Sequence, residues 1–347
     1  MRSTRPEALS PSEVSASPTS AREWLPILLK YWEPSASRST LELVMTAVPF
    51  FALWAAAWWA LSISYWLSLL ISIPAGAFMV RMFLIQHDCG HGAFFKKKII
   101  NDWVGRILGV FTLTPYYVWR RAHAIHHATS GNLDKRGYGD IDTLTVEEYQ
   151  DLSRRGRFSY RLYRHPLVLF GIGPAYNFLL RQRLPLGFMR AGWRYWLSAM
   201  GTNVMMLVLA VLVIYFIGLG PFFLVHLPIA IVAASIGVWL FYVQHQFDGT
   251  VWARGEDWQV QDAALYGSSH YDLPGVLRWF TANIGIHHVH HLCSRIPYYR
   301  LRQVLSDHPE LASLKRLTLW QSFGCVRLGL WDEKAQKLIS FAEARAQ

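Results

Sequence analysis

The segment LVMTAVPFFALWAAAWWALSISYWLSLLISIPAGAFMV, residues 43–80, runs for 38 residues without an Asp, Glu, Lys or Arg. A second stretch of this kind, 53 residues long, lies between Arg194 and Asp248. A helix needs about 20 apolar residues to cross a bilayer, so each stretch can provide two spans joined by a tight turn. Soluble helices rarely stay uncharged over such lengths. The sequence therefore predicts an all-α integral membrane protein with four transmembrane helices arranged as two hairpins.

Turn signals and shorter apolar segments lie within and between these stretches. The hairpin turns are predicted near residues 61–66 and at Gly-Leu-Gly-Pro, residues 218–221, a strong helix break. Residues 103–119 and 166–180 are apolar but are interrupted by Arg, Gly or Pro. This pattern favours helices that lie at the membrane interface or enter the membrane only partly.

The ends of the chain differ in composition from its middle. Residues 1–24 are rich in Ser and Pro and contain no apolar run, so we expect a disordered N-terminal tail. A membrane-bound domain is expected over residues 25–302, followed by a C-terminal cytoplasmic segment over 303–347. The three cysteines are too few and too far apart for a disulfide framework, which fits a reducing compartment.

The charge distribution predicts the orientation in the membrane. Neither predicted turn contains Lys or Arg, whereas residues 87–194 hold 17 basic and 8 acidic residues. By the positive-inside rule the charged parts of the chain face the cytoplasm, and a bacterial inner membrane is the expected location. The net charge of +11 alone would also suit a nucleic-acid-binding protein. We expect no nucleic acid as a partner, because the basic residues lie beside the spans and show no nucleic-acid-binding motif.

The histidines are concentrated in three short motifs, HDCGH at 87–91, HAIHH at 123–127 and HHVHH at 287–291. On a helix, residues at i, i+3 and i+4 share one face, so each motif can direct several imidazoles toward a metal ion. Two H-x-x-H-H motifs and one H-x-x-x-H motif in one chain are not expected by chance. The candidate metal ligands in them are His87, His91, His123, His126, His127, His287, His290 and His291.

The remaining histidines differ in their positions relative to the spans. His245 is predicted at the cytoplasmic end of the fourth span, and an uncompensated histidine there is a ninth candidate ligand. His288 lies outside the helix face that carries the i, i+3 and i+4 histidines. We expect it to contact a metal-binding histidine or to lie at the surface. His226 begins the fourth span at the opposite membrane face, too far from the motifs. We expect structural or solvated roles for His165, His270 and His308.

Nine imidazoles exceed what one metal ion can bind, so the motifs predict two metals with four or five nitrogen ligands each. Imidazole suits iron, zinc, copper and nickel. Zinc has no redox chemistry, and a site at the membrane face with neutral ligands alone is better explained by iron and oxygen.

Three blocks of sequence resemble a known family. QHDCGHG (86–92), NDWVGRILGVFTLTPYYVWRRAHAIHHATSGNLDKRG (101–137) and GSSHYDLPGVLRWFTANIGIHHVHHLCSRIPYYRL (267–301) are similar to the membrane-bound fatty acid desaturases, especially the bacterial acyl-lipid branch. The eight motif histidines match the family's three boxes position by position. His245 matches a further ligand more loosely, by placement alone. The resemblance covers roughly residues 80–302.

This resemblance implies an enzyme that introduces a cis double bond into a long acyl chain, most simply at the Δ12 position. It implies two iron ions in a cytoplasmic helical cap, O₂ as co-substrate, and membrane-lipid acyl chains that enter a narrow apolar tunnel between cap and spans. Electrons must come from outside, since the chain has no flavin, haem or iron–sulfur motif, and a ferredoxin or cytochrome-type donor is expected on the basic face. No side chain beyond the metal ligands needs a catalytic role.

Two alternatives fit parts of the pattern. A membrane di-iron hydroxylase or oxygenase acting on a lipid, carotenoid or alkane would use the same ligands and differ only in its product. A zinc-binding or transport protein is disfavoured because the charge-free stretches contain no carboxylate. Among the acidic residues, Asp88 could orient a ligand imidazole or be a solvated carboxylate. The others near the motifs are expected to be solvated loop charges: Asp140, Asp142, Glu256, Asp257 and Asp262.

Overall fold

The computed structural model describes residues 20–137 and 139–346, and helices dominate this part of the chain. In chain order the helices are α1 (Trp24–Leu28), α2 (Ala36–Ala60), α3 (Tyr65–His91), α4 (Lys98–Phe111), α5 (Tyr116–Thr129), α6 (Val146–Asp151), α7 (Arg154–Tyr163), α8 (Gly173–Leu179), α9 (Trp193–Ile217), α10 (Leu219–His245), α11 (Val260–Tyr266), α12 (Gly275–Phe280), α13 (His287–Leu292), α14 (Tyr298–Asp307), α15 (Pro309–Ser313), α16 (Leu319–Ser322) and α17 (Glu343–Ala346). Short strands are β1 (Leu144–Thr145), β2 (His270–Asp272), β3 (Arg316–Thr318), β4 (Leu330–Asp332) and β5 (Lys337–Ile339).

Four of the described helices, α2, α3, α9 and α10, are long and apolar enough to cross a membrane, which confirms the four predicted spans. The first hairpin turns at residues 61–64, within the predicted region. The second turns at Gly218, whose φ of +87° is a left-handed conformation that favours glycine. The two spans of each hairpin are therefore antiparallel. The C-terminal ends of α3 and α10 lie at the same end of the bundle.

Helix α3 is the centre of the bundle, because it packs against α2, α4 and α10. At Gly76 the approach of α10 is so close that a Cβ atom would lie 2.6 Å from Val232 Cγ1. Helix α9 is peripheral, with Leu207, Val211 and Tyr215 exposed on its surface. Because these apolar side chains are exposed on the surface of the protein, they suit contact with lipid.

The two shorter apolar segments form helices with exposed apolar faces. Residues 103–119 are divided between α4 and α5 by a break at residues 112–115, and Ile99, Trp103 and Ile107 line one exposed face of α4. Residues 166–180 form a π-helical turn at Val168–Ile172 followed by α8. This agrees with the expected interfacial helices, because such faces bury apolar side chains at the headgroup boundary.

The cap is formed by the described segments outside the spanning helices, mainly residues 92–192 and 246–346. It contains short strands that the all-α prediction did not include. β1 pairs in parallel with β4, β4 pairs antiparallel with β5, and β2 pairs in parallel with β3. Three of these five strands come from residues after 302, and Leu311, Leu317 and Cys325 join the main core. The described residues after 302 thus pack into the cap.

The N-terminal boundary also differs from the prediction. Residues 1–19 of the predicted tail lie outside the described residues, but Ala21 and Trp24 are buried. Trp24 packs edge-to-face on His308, with ring centroids 5.3 Å apart, and the Tyr31 hydroxyl donates to Asp307 Oδ2 at 2.6 Å. Packed structure therefore begins before residue 25, and His308 has the structural role expected for it.

Candidate metal centre

The nine predicted histidines come from four helices whose ends meet at one end of the bundle. The helices are α3, α5, α10 and α13. In the described part of the chain these side chains form two groups, each able to hold a metal ion. The first group is His87, His91, His123, His127 and His290, and the second is His126, His245, His287 and His291.

Each H-x-x-H-H motif contributes to both groups. In α5 the i, i+4 pair His123 and His127 belongs to the first group, while His126 at i+3 belongs to the second. In α13 the assignment is reversed: His290 at i+3 joins the first group, and the i, i+4 pair joins the second. The i, i+4 rings lie one above the other, and the i+3 ring projects to the side, so one helix can face two metals.

The ring nitrogens of each group converge. In the first group His123 Nε2 lies 3.0 Å from His91 Nε2 and 3.1 Å from His127 Nε2. In the second, His245 Nε2 lies 3.2 Å from His126 Nε2 and 3.1 Å from His287 Nε2. The ligand atoms within each group lie within 4.8 Å of one another. A metal–nitrogen bond is about 2.1 Å, so opposed ligands are about 4.2 Å apart and the groups have the size of metal sites.

The two histidine groups are in direct contact through stacked rings. The rings of His127 and His291 stack with centroids 4.0 Å apart and an interplanar angle of 12°. His123 and His126 also stack, at 5.6 Å. Two metals bound here would be neighbours and could act on one substrate.

The chemistry of the buried nitrogens fits metal ions. His287 Nδ1, His291 Nε2 and both ring nitrogens of His290 are buried without a hydrogen-bond partner in the protein. An unpaired buried polar group costs roughly 1–3 kcal/mol, so such a cluster needs another partner. Burial and the neighbouring imidazoles hold the pKa of five histidines of α5 and α13 well below the usual value: His123, His127, His287, His290 and His291. The neutral imidazole that results is the form that binds metals.

Asp88 orients a histidine of the first group, one of the two roles considered for it. It is buried, its Oδ1 lies 3.2 Å from His87 Nδ1, and its Oδ2 accepts from the Tyr298 backbone N–H at 2.7 Å. The first motif is thereby joined to the segment that follows the third motif. A carboxylate on Nδ1 leaves Nε2 of His87 for a metal.

Asp140 does the same for the second group, and the expectation that it is a solvated loop charge is wrong. Its carboxylate bonds Nδ1 of His126, and only 20% of its side chain is exposed. It lies in an irregular loop fourteen positions after His126, and no motif marks it. The other acidic residues expected to be solvated are exposed: Asp142, Glu256, Asp257 and Asp262.

Other side chains around the histidines were not predicted. Ser130 Oγ lies 3.3 Å from His245 Nδ1, and Trp119 stacks on His123 with ring centroids 4.7 Å apart. A Cβ atom at Gly90 would lie 2.8 Å from the Trp119 ring, so glycine makes room for it. His288 is fully buried and bonds the Leu311 carbonyl at 2.9 Å, which makes it a structural residue rather than a surface one.

The half of the first hairpin nearer to the histidines contains a buried ion pair. Glu42 lies within α2 rather than before it, and its carboxylate bonds the Arg81 guanidinium of α3. The Tyr298 hydroxyl donates to Glu42 Oε2 at 2.9 Å, and Arg81 lies 4.0 Å from the Trp279 ring centroid. The spanning helices therefore do contain a carboxylate. This ion pair anchors the same Tyr298 whose backbone N–H holds Asp88.

Comparisons with known proteins agree with this arrangement. Residues 64–323 match the family model described as fatty acid desaturase. The chain is 43% identical over 309 residues to a fatty acid desaturase of Bacillus subtilis, covering 89% of this chain and 87% of the relative. It is 30% identical over 262 residues to the sn-1 acyl-lipid omega-3 desaturase (ferredoxin) of Synechocystis, covering 72% and 70%. It is 25% identical over 273 residues to the sn-1 oleoyl-lipid 12-desaturase of Anabaena variabilis, covering 73% and 72%.

The predicted resemblance is thus confirmed by the family model and by the relatives. The family model covers all three histidine motifs and three of the four spans, α3, α9 and α10. The Bacillus relative matches the chain over nearly its whole length. From its sequence, its four apolar helices and its paired histidine groups, this chain belongs to the fatty acid desaturase family and is a membrane oxidoreductase.

Proposed function

We propose that the nine histidines hold two iron ions and that the protein desaturates acyl chains of membrane lipids. The observation that carries the proposal is the division of nine buried or half-buried imidazoles into converging groups of five and four. Iron bound there would supply the O₂ chemistry: CH₂–CH₂ with O₂, two electrons and two protons gives CH=CH and two waters.

The surrounding residues orient the metal-binding imidazoles and shield them from water. Asp88 and Asp140 fix the rings of His87 and His126, one in each group. Burial of most of the histidines keeps bulk water from the centre, which limits side reactions. We propose no general acid or base among the surrounding side chains.

A small, mostly apolar cavity borders the second group, and we propose that substrate methylenes lie along it. Its volume is about 30 Å³, and its lining combines Ile141, Phe241, Trp252 and His245 with the charged Arg136 and Asp140. It lies where α5 and α10 meet the cap loops, between cap and spans. We propose that the acyl tunnel opens along this path when a substrate enters.

Charge and kinship support a proposal for the electron donor and for the location. A Synechocystis relative is named as ferredoxin-dependent, and an acidic ferredoxin would suit the basic surface of residues 87–194. We propose a ferredoxin-type donor, with a cytochrome-type donor as the second candidate. The charge asymmetry supports a bacterial inner membrane with the metal centre on the cytoplasmic side.

For the position of the double bond we propose Δ12. Relatives named sn-1 oleoyl-lipid 12-desaturase support this position, and relatives named omega-3 desaturase support the neighbouring one. Regioselectivity depends on tunnel depth, where one methylene is worth only about 1–3 kcal/mol.

The test is expression in a host that makes only saturated and monounsaturated lipids, followed by mass spectrometry of the acyl chains. We expect linoleate from oleate, and no new double bond with His290→Ala. New double bonds in saturated chains would overturn Δ12 but keep the desaturase. A hydroxylated chain would replace the desaturase by a hydroxylase acting at the same site.

A further inference from the structure

We propose that a basic pocket beside the metal centre binds the phosphate of a phosphoglycerolipid. The pocket is formed by Lys96, Lys98, Arg120 and Arg295 around His91. This inference rests on the proposed function and deepens it, because it names the lipid class whose acyl chain is presented to the histidines.

The pocket has room for a phosphate group. Its volume is about 190 Å³, whereas about 10–15 Å³ on the same measure is enough to hold one water. The loop that carries Lys96 is fixed in place by Asn101, which accepts from the Phe95 backbone N–H at 2.9 Å and donates to its carbonyl at 2.7 Å. The backbone on this side of the pocket is therefore held in place by the fold itself.

The charge of the pocket is positive. Lys98 and Arg120 share one carboxylate, that of Asp102. The nearest carboxylate to Lys96 is Glu33, at 3.7 Å, and both side chains are at least two-thirds exposed, so this pair is weak.

Arg295 has hydrogen-bonding capacity left for a ligand. Its guanidinium lies 4.4 Å from the Trp32 ring centroid, which holds it over the pocket. No carboxylate among the described residues lies within salt-bridge distance of it. A planar guanidinium donates two parallel hydrogen bonds to phosphate oxygens.

The position of the pocket favours a lipid over a soluble phosphate compound. It lies just past the end of α3 and next to Trp32, a few residues before α2 begins, and the ends of spanning helices are expected to meet the headgroup layer. Helix α4 follows immediately, with Ile99, Trp103 and Ile107 exposed on one face. Lysines followed by such a face are expected to contact lipid phosphates while the apolar residues enter the bilayer.

The pocket also reaches the metal centre. His91 is both part of its lining and a member of the five-histidine group. A lipid whose phosphate is held here has its glycerol and acyl chains at the edge of the bundle that contains the histidines. The pocket therefore selects the substrate by its headgroup before the acyl chain reaches the centre.

The experiment compares a lipid with a phosphate and one without. The full-length protein in detergent micelles is given dioleoylphosphatidylglycerol or dioleoylglycerol, and lipid retention is measured by native mass spectrometry. The rate of desaturation is measured in parallel. Arg295→Gln, Lys96→Gln and the double variant are compared with Arg345→Gln, an exposed arginine on the distant helix α17.

We expect each single variant to weaken retention of phosphatidylglycerol about fivefold and to raise its KM similarly, with about twenty-five-fold for the double variant. kcat, dioleoylglycerol retention and Arg345→Gln should be unchanged. Equal losses for both lipids would overturn the proposal, as would a higher KM for the reduced donor with lipid binding unaffected, which would assign the pocket to donor docking. Retention does not require turnover, so an inactive preparation that still prefers phosphatidylglycerol would contradict the proposed function and support the pocket.

Discussion

Removing the charge of Asp140 should weaken one metal site and leave the other intact. Asp140 contacts Nδ1 of His126, a member of the four-histidine group, and the ring it orients is almost fully buried. A hydrogen bond to a charged group contributes about 1.5–3 kcal/mol. Because 20% of the Asp140 side chain is exposed, we take the lower end, about 1.5 kcal/mol. This corresponds to about tenfold in metal affinity, within the range of about 10–100-fold typical of residues that orient metal ligands.

The assay uses three variants and counts metals. Asp140→Asn keeps an acceptor oxygen and loses the charge, Asp140→Ala loses both, and Asp142→Asn changes an exposed neighbour. Purified, iron-loaded protein is titrated with a chelator, and the metal retained per chain is measured by mass spectrometry. We expect one of two equivalents to be released at about tenfold lower chelator with Asp140→Asn, and more readily still with Asp140→Ala. Wild-type retention of both equivalents by Asp140→Ala would refute the reasoning.

Three further predictions follow from neighbouring parts of the structure. His290→Ala should abolish desaturation and lower the metal content, whereas His288→Gln should keep both metals with a lower melting temperature; an active His290→Ala protein would contradict the ligand assignment. Gly285→Ala should reduce the yield of folded protein, because its Cβ would lie 2.3 Å from the Tyr271 carbonyl oxygen, whereas Gly275→Ala meets no atom within 4 Å and should match wild type in a thermal unfolding assay. Labelling of a cysteine placed at Gly220, where a side chain meets no atom within 4 Å, should come from the side of the membrane opposite to the C-terminus. Labelling of both from one side would mean that the chain does not cross the membrane once after this turn, and that the span count is wrong.

The carboxylate partners of the histidines show where sequence reasoning was limited. Asp88 lies inside a motif, one residue from His87, so its role could be considered from the sequence. Asp140 has no such mark, because the contact with His126 depends on how a loop returns to α5. The Glu42–Arg81 pair is not predicted, for a different reason. In the sequence the two charges flank the uncharged stretch and mark its ends, yet in the structure both lie inside helices.

The sequence by itself determined the four spans, the hairpin turns and the nine histidines. These features are local, since uncharged length sets whether a segment can cross a bilayer and helical spacing sets which rings share a face. Only the tertiary structure decided which histidines share a site. His126 and His290 each belong to a different group from the i, i+4 pair of their own motif, because tertiary structure brings the rings of α5 against those of α10 and α13. It also decided that strands from the C-terminal segment complete the cap, since pairing between β1 and β4 joins residues far apart in the chain and leaves no local pattern.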